Sequence, residues 1–430
     1  MNGESALFAL TVRSSPAFIL IAMRHSLALL ALLLALPAAA QSGTLTLEDA
    51  LVTARAHSPQ LTAASGKVAA AAGSARQIAA LPNPVVQLRR EHWNSPLPND
   101  DYATLTIPVD VTMRRSALRS AGRNELAATV ADSAVAAREL EALVTTAYVQ
   151  SALANQLASI AVDRARALQG MAEFESTRFG EGAVAEGIAL RTRLESDRAQ
   201  LELAAARADA ERSRASLARA MGVAPSEVDG LAALPSEQMP SGNLPNVDQA
   251  VAAALAHRPE LAAAEKRVAA ARSMVSAEWR ATLPDVGVEL GAKRTGGFDT
   301  GVAAISIGLP IFDRASGARQ RARGEQQVAE AELRSTRDRL AAEASGSLRA
   351  YHELFAARPA GAARLSEGGA EVARIAEASY REGAVTLMEL LDAERAHADL
   401  RAALARWSAD VALARMEVNR ALGAPIEEGL

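Results

Sequence analysis

The sequence predicts a mixed fold in which long α-helices carry a small β-sheet, arranged as two copies of one helix–β-hairpin–long helix–helix unit. Three observations predict it. First, the chain repeats itself. His57-Ser58-Pro59-Gln60-Leu61 recurs as His257-Arg258-Pro259-Glu260-Leu261, 200 residues later. Arg219-Ala220-Met221-Gly222 recurs as Arg420-Ala421-Leu422-Gly423 at a shift of 201. Such self-similarity marks a duplicated structural unit. Second, four short runs alternate apolar and polar residues, the period of a strand with one apolar face. Third, Met113 to Phe179 contains no proline over 67 residues, enough for a helix of about 100 Å.

The amino terminus comes first. Met23-Arg24-His25 opens a basic region, Ser26 to Leu36 is apolar, and Ala38-Ala39-Ala40 supplies small residues. Residues 1–40 read as upstream sequence plus a secretory signal peptide starting at Met23. Residues 45–222 form the first repeat. Leu47 to Ala80 is helical, with Pro59 as a break or fresh start, and Pro82 and Pro84 end it. Strands follow at about 84–93 and 101–111. In the second of them Ala103, Leu105, Ile107 and Val109 share one face, with Thr104 and Thr106 on the other. Within the long helix, Leu126, Val130, Ala137, Leu140, Val144 and Ala147 keep coiled-coil spacing. Phe179-Gly180-Glu181-Gly182-Ala183-Val184 turns the chain into a return helix, because glycine ends helices cheaply at positive φ.

Residues 223–246 are rich in Pro, Gly and Ser and read as a connector. Residues 247–424 repeat the pattern, with strands at about 285–294 and 300–312. Asn94 to Asp101 and Arg294 to Thr300 read as hairpin loops. Pro359 beside Gly361 predicts a kink or break in the second long helical run, where the first run has none. Tyr380-Arg381-Glu382-Gly383-Ala384-Val385 is the second turn.

Composition narrows the function. Half the residues are hydrophobic but only 3% are aromatic, so the helices pack through alanine and other small side chains. A net charge of −4 argues against a nucleic-acid partner. Without cysteine there are no disulfides or thiolate metal sites. The histidines are scattered, so no metal site or cofactor is expected. No nucleophile elbow, phosphate loop or catalytic carboxylate pair is present, so no enzyme is expected.

Four apolar-faced strands cannot close a barrel, since the smallest transmembrane barrels use about eight. Left open, they would aggregate by their edges. Oligomerisation solves this: two chains would give eight strands and three would give twelve. A periplasmic coiled-coil scaffold or adaptor with two small surface hairpins is the competing reading.

The duplicated unit, the Ser58–Leu61 and Arg258–Leu261 motifs, and Tyr380-x-x-Gly383 leading to Glu389 and Asp392 resemble the TolC-like outer membrane efflux proteins. The resemblance covers Leu45 to Gly423. It implies a homotrimer with a transmembrane β-barrel of twelve strands in outer membrane lipid, continued by a long α-helical periplasmic tunnel. Such proteins are passive exit ducts that dock with a periplasmic adaptor and an inner-membrane efflux pump. Leu81-Pro82-Asn83-Pro84 and Arg114-Arg115 look like the CzcC-like heavy-metal branch. Multidrug efflux and type I secretion use the same architecture.

Glu389 and Asp392, three apart, share a helix face. The resemblance makes Tyr380, Glu389 and Asp392 candidates for the tunnel gate, with carboxylate rings that favour cations. Solvated helix-face carboxylates are the plainer reading of that pair. The family's basic lock residue falls on Val385 and its first-hairpin partners on Gly187 and Ile188, so the usual lock is absent. Arg381 and Arg191 are the substitutes at hand. Gly182, Ala183, Val184, Gly383, Ala384 and Val385 are candidate adaptor-docking tips, and also plain turn chemistry.

Overall fold

A computed structural model describes residues 44–92, 96–228, 230–232, 245–357 and 362–425. The signal-peptide region, Pro359 and Gly361 lie outside the described residues. The first half holds α1 (Leu47–His57), α2 (Pro59–Ile78), β1 (Val85–Glu91), β2 (Asp100–Val109), α3 (Arg114–Gly180) and α4 (Glu186–Met221). The second holds α5 (Val247–His257), α6 (Pro259–Arg280), β3 (Asp285–Thr295), β4 (Phe298–Gly308), α7 (Ser316–Ala356), α8 (Ala362–Arg381) and α9 (Leu387–Leu422).

Local chemistry sets the helix ends. The Thr46 hydroxyl accepts from Asp49 N, and Asp49 answers with its carboxylate, closing a capping box on α1. Pro59 and Pro259 each begin a new helix, where the missing N–H costs nothing. Asp110 starts α3 by accepting from Arg114 N at 3.2 Å and Arg115 N at 3.0 Å. Where α7 gives way to α8, the second run is two helices, in contrast with the unbroken 67-residue α3.

The helices pack through small residues. One cluster joins Ala50, Ala54, Leu140, Val144, Ala147, Leu217 and Ala218 of α1, α3 and α4. A second joins Ala250, Ala253, Leu348, Tyr351, Val411 and Val418 of α5, α7 and α9. The expected heptad stripe on α3 is buried at Leu140, Val144 and Ala147 but exposed at Val130, which no described element of this chain covers. Arg258 is buried and ties the halves of the second repeat together. It pairs with Glu260 at 2.6 Å and Glu343 at 3.2 Å and donates to the Arg420 carbonyl ending α9 at 3.1 Å.

The strands form one antiparallel sheet in the order β1-β2-β3-β4. Two separate surface hairpins are therefore not what is seen: β2 and β3 pair along their lengths, from Asp100↔Thr295 to Val109↔Val286. The register puts Leu88, Ala103, Ala292 and Gly301 in one cross-strand row, and Val86, Leu105, Leu290 and Ala303 in another. Rows of this parity make a single apolar face. It is uncovered: Leu88 is 77% exposed, Ile305 70% and Ile307 59%. The opposite face carries Thr104, Thr106, Glu289 and Ser306. Gly291 sits there because a Cβ would collide with the Ala103 carbonyl and Thr104.

The strand limits differ from the expected ones at the loop ends. β3 and β4 meet across only Gly296 and Gly297, at φ 57° and 93°, a two-residue hairpin turn. Arg294 to Thr300 is thus mostly strand. Charged residues extend the ladder because they pair across it, Arg90 with Asp101 at 2.5 Å and Arg294 with Asp299 at 2.7 Å. β4 stops at Gly308, short of the expected 312, because Pro310 has no N–H to donate. No helix among the described residues is long and apolar enough to cross a membrane.

Candidate gate at the hairpin tips

Both turns close in the same way. At the first, Gly182 N donates to Phe179 O at 2.9 Å and Ala183 N to Arg178 O at 2.8 Å. At the second, Gly383 N donates to Tyr380 O at 3.0 Å and Ala384 N to Ser379 O at 2.8 Å. Gly182 and Gly383 have φ of 74° and 79°. This is the helix-ending bond pair that a left-handed glycine allows. Gly182, Ala183, Gly383 and Ala384 are exposed, while Val184 and Val385 are half-buried.

Just behind the turns, the two hairpins share a cluster of Ala165, Leu168, Ala199, Leu203, Tyr380, Leu387, Leu390 and Leu391, with Ile188 and Val385 against it. Tyr380 is 9% exposed. Burial, and then the nearby Glu175 charge, raise its phenol above the usual tyrosine value. Glu175, on α3, is fully buried. One of its oxygens accepts from Arg178 at 3.2 Å, and the other has no hydrogen-bond partner. A carboxylate taken out of water is costly unless its charge is met. Arg178 is what meets it, and the Tyr380 phenol stands within reach of that charge.

The expected gate residues do not form one group. Tyr380 is in the cluster. Glu389 is exposed, and its carboxylate is engaged in capping α9: it accepts from Thr386 N at 2.7 Å and Thr386 Oγ1 at 2.9 Å. Those bonds lower its pKa. Asp392 is exposed, with Arg395 at 3.9 Å. Of the two substitutes for the missing lock residue, Arg381 is paired within its own helix to Glu377 at 2.5 Å, and Arg191 is exposed. The charged pair beside Tyr380 is Glu175 with Arg178. Sequence reasoning passed over them, although Glu175-x-x-Arg178 directly before the turn glycines was there to be read.

At the far end of the molecule, the structure brings Glu91, His92 and Asp100 together with donor atoms within 4.8 Å, a grouping the scattered histidines did not suggest. Asp100 already holds the Lys293 ammonium at 2.8 Å, so a cation would have to displace it.

The model of the outer membrane efflux protein family matches residues 50–223 and again 250–424. The chain belongs to that family. Membership places it in the outer membrane with a periplasmic extension, and it serves efflux there as a channel. Among curated proteins it is similar to the cobalt-zinc-cadmium resistance protein CzcC of Cupriavidus metallidurans, at 26% identity over 82% of this chain and 84% of that one. Its fold is similar to the outer membrane protein VceC of Vibrio cholerae, with TM-score 0.72 and 21% identity over 88% and 96% of the two chains. The MtrE outer membrane channel of Neisseria gonorrhoeae matches with TM-score 0.72 and 19% identity over 88% and 89%.

Proposed function

We propose that this chain is the exit duct of a tripartite efflux system, conducting cargo passively from an inner-membrane pump and a periplasmic adaptor to the outside. The observation that carries this reading is the sheet. Its apolar face is exposed on four strands, and its edges, β1 and β4, are unpaired. In water such a sheet would aggregate; closed into a barrel it meets lipid with one face and a polar lumen with the other. Three chains in a ring would supply twelve strands, each chain giving four. The helices would continue that ring as a periplasmic tunnel. The hairpin tips at Gly182–Val184 and Gly383–Val385 would meet the adaptor. As family members are channels, no enzymatic step is assigned.

The gate reading centres on Tyr380. Its packing joins the second hairpin to the first, and Glu175 with Arg178 holds it there. Asp392, exposed one turn into α9, supplies a carboxylate ring in a threefold tunnel. Glu389 lies beside it, with its charge shared with the helix cap. For cargo, the likeness to a cobalt-zinc-cadmium resistance protein favours heavy-metal cations. Carboxylate rings at a constriction suit that cargo.

Conductance of the purified protein in a planar bilayer tests the reading. Cation-selective channels are expected, with conductance increased in Tyr380→Ala and cation preference weakened in Asp392→Asn. A well-folded preparation that forms no channels would favour a periplasmic scaffold instead.

A further inference from the structure

The polar face of the sheet carries a group of metal-binding side chains at its loop end, apart from the hairpin tips. There Glu91 of β1 pairs across the ladder with Asp100 of β2, and Asp100 with Thr295 of β3. Side chains alternate along a strand, so these three share the face of Thr104 and Gly291, opposite Leu88. His92 follows Glu91. A further extended residue at this position would send its side chain to the apolar face with Arg90. The backbone of His92 is left-handed instead, with φ 61°. The imidazole comes to lie beside the carboxylates, with Nε2 4.0 Å from Asp100 Oδ2. One donor atom from each of Glu91, His92 and Asp100 lies within 4.8 Å of the other two.

Both carboxylates are held from outside the group. Thr295 Oγ1 donates to Asp100 Oδ1, and the Tyr102 hydroxyl donates to Glu91 Oε2 at 3.4 Å. Outer hydrogen bonds of this kind orient metal-ligating groups. One imidazole with two carboxylates suits zinc, cobalt and their neighbours; magnesium and calcium take oxygen ligands. A tetrahedral ion with bonds of about 2.1 Å needs its donors about 3.4 Å apart, so the group would draw in by roughly 1 Å. Three protein ligands leave the fourth position open, where a structural zinc site would be closed.

The protein's own cations compete for these carboxylates. Lys293 Nζ is 2.8 Å from Asp100 Oδ2, and Arg89 Nη2 is 3.3 Å from Glu91 Oε1. The same two cations flank the Tyr102 ring, at 5.1 Å for Lys293 and 4.4 Å for Arg89 from its centroid. Each therefore keeps a partner when its carboxylate is taken. Such competition holds a metal ion loosely, and conduction requires sites that an ion can leave.

We infer that Glu91, His92 and Asp100 form an exchangeable site for a divalent transition-metal ion, with Lys293 as the internal competitor that the ion displaces. Its place in the assembly rests on the duct reading above. There the polar face lines the lumen, and the site stands at the outer mouth, where cargo cations leave.

Titration of the untagged full-length protein in detergent with Co2+, followed by the visible absorption of the bound ion, tests this. One Co2+ per chain is expected, displaced by Zn2+. His92→Ala should weaken binding by more than the roughly 100-fold that an outer-shell partner can contribute. His352→Ala, on α7, should leave it unchanged. Lys293→Gln should bind at least about tenfold tighter, because a like charge beside the ion is gone. Misfolding cannot produce that gain. If Lys293→Gln binds no better than the parent, or if His92→Ala binds as well, the site is wrong. Channels in a planar bilayer from a protein that does not bind Co2+ would keep the duct and remove the site. Binding by a protein that forms no channels would keep the site and remove its place at a mouth.

Discussion

The two hairpin turns share a backbone and differ in their side chains. Each closes on a left-handed glycine with the same two hydrogen bonds. Yet the aromatic residue ending the first run, Phe179, is 44% exposed, while its counterpart Tyr380 is 9% exposed and packed between hairpins. The first turn begins its return helix at Ala185 without a side-chain cap, and the second begins at Thr386 with a full capping box. Turn geometry is thus fixed by glycine chemistry, while the aromatic residue before the turn is packed between the hairpins in one copy and exposed in the other.

The largest expected effect breaks the comparison at its strongest point. Tyr380→Ala removes a buried aromatic ring, a change that costs about 3–5 kcal/mol in a core. Phe179→Ala, at a half-exposed site, should cost under about 1 kcal/mol. Thermal unfolding of the two variants measures this. Equal losses would mean that Phe179 is covered in the assembly and that the tips are alike. Next in size is Glu175. Glu175→Gln keeps the shape and removes the charge that Arg178 meets, with an expected loss of about 1–3 kcal/mol. Conductance should rise with it if the pair restrains Tyr380. A variant as stable as the parent and no more conductive would remove Glu175 from the gate.

The shared backbone makes an opposite prediction. Gly182→Ala and Gly383→Ala force a side chain into positive φ, costing about 1–2 kcal/mol each. Because neither position meets a neighbour within 4 Å, the two losses should be equal. Unequal losses in denaturant unfolding would show that the turns differ in more than side chains.

These contrasts also show what a sequence can and cannot carry. The long helices were legible because proline is absent and periodicity sustained, and the strands because Leu105, Ile107 and Val109 alternate with threonine. The hairpin ends were misread. Asp101, Arg294 and Asp299 look like loop residues singly and become strand residues when paired across the ladder, Asp101 with Arg90 and Arg294 with Asp299. The burial of Glu175 was invisible, since it depends on which face of α3 receives the second hairpin. The role of Glu389 is a different matter. Thr386-x-x-Glu389 is a helix-start signature in plain view, and the three-residue spacing to Asp392 drew notice away from it.

Glu389 therefore separates capping from gating, and gives the smallest expected effect. Thr386→Ala should cost about 1 kcal/mol, the usual worth of a lost cap. Glu389→Gln retains a side chain that serves in a capping box, so helix stability should change little. If the carboxylate also forms a ring in the tunnel, cation preference should fall in the same variant; if it does not, Glu389 is a cap and Asp392 alone carries the ring. The pH dependence has a definite sign. Thr386 holds the Glu389 pKa below its ordinary 4.5, so the charged form is favoured by folding. Its stabilisation is complete above that ordinary value and is lost as pH falls through the lower, folded value. Thr386→Ala removes the hydroxyl bond but keeps the backbone N–H, the larger cause, so it should reduce this part of the acid response without abolishing it. The second hairpin of the variant, followed by hydrogen exchange at the start of α9, would then differ less in its opening on either side of that window than the parent does; an unchanged difference would leave the backbone N–H as the whole cause.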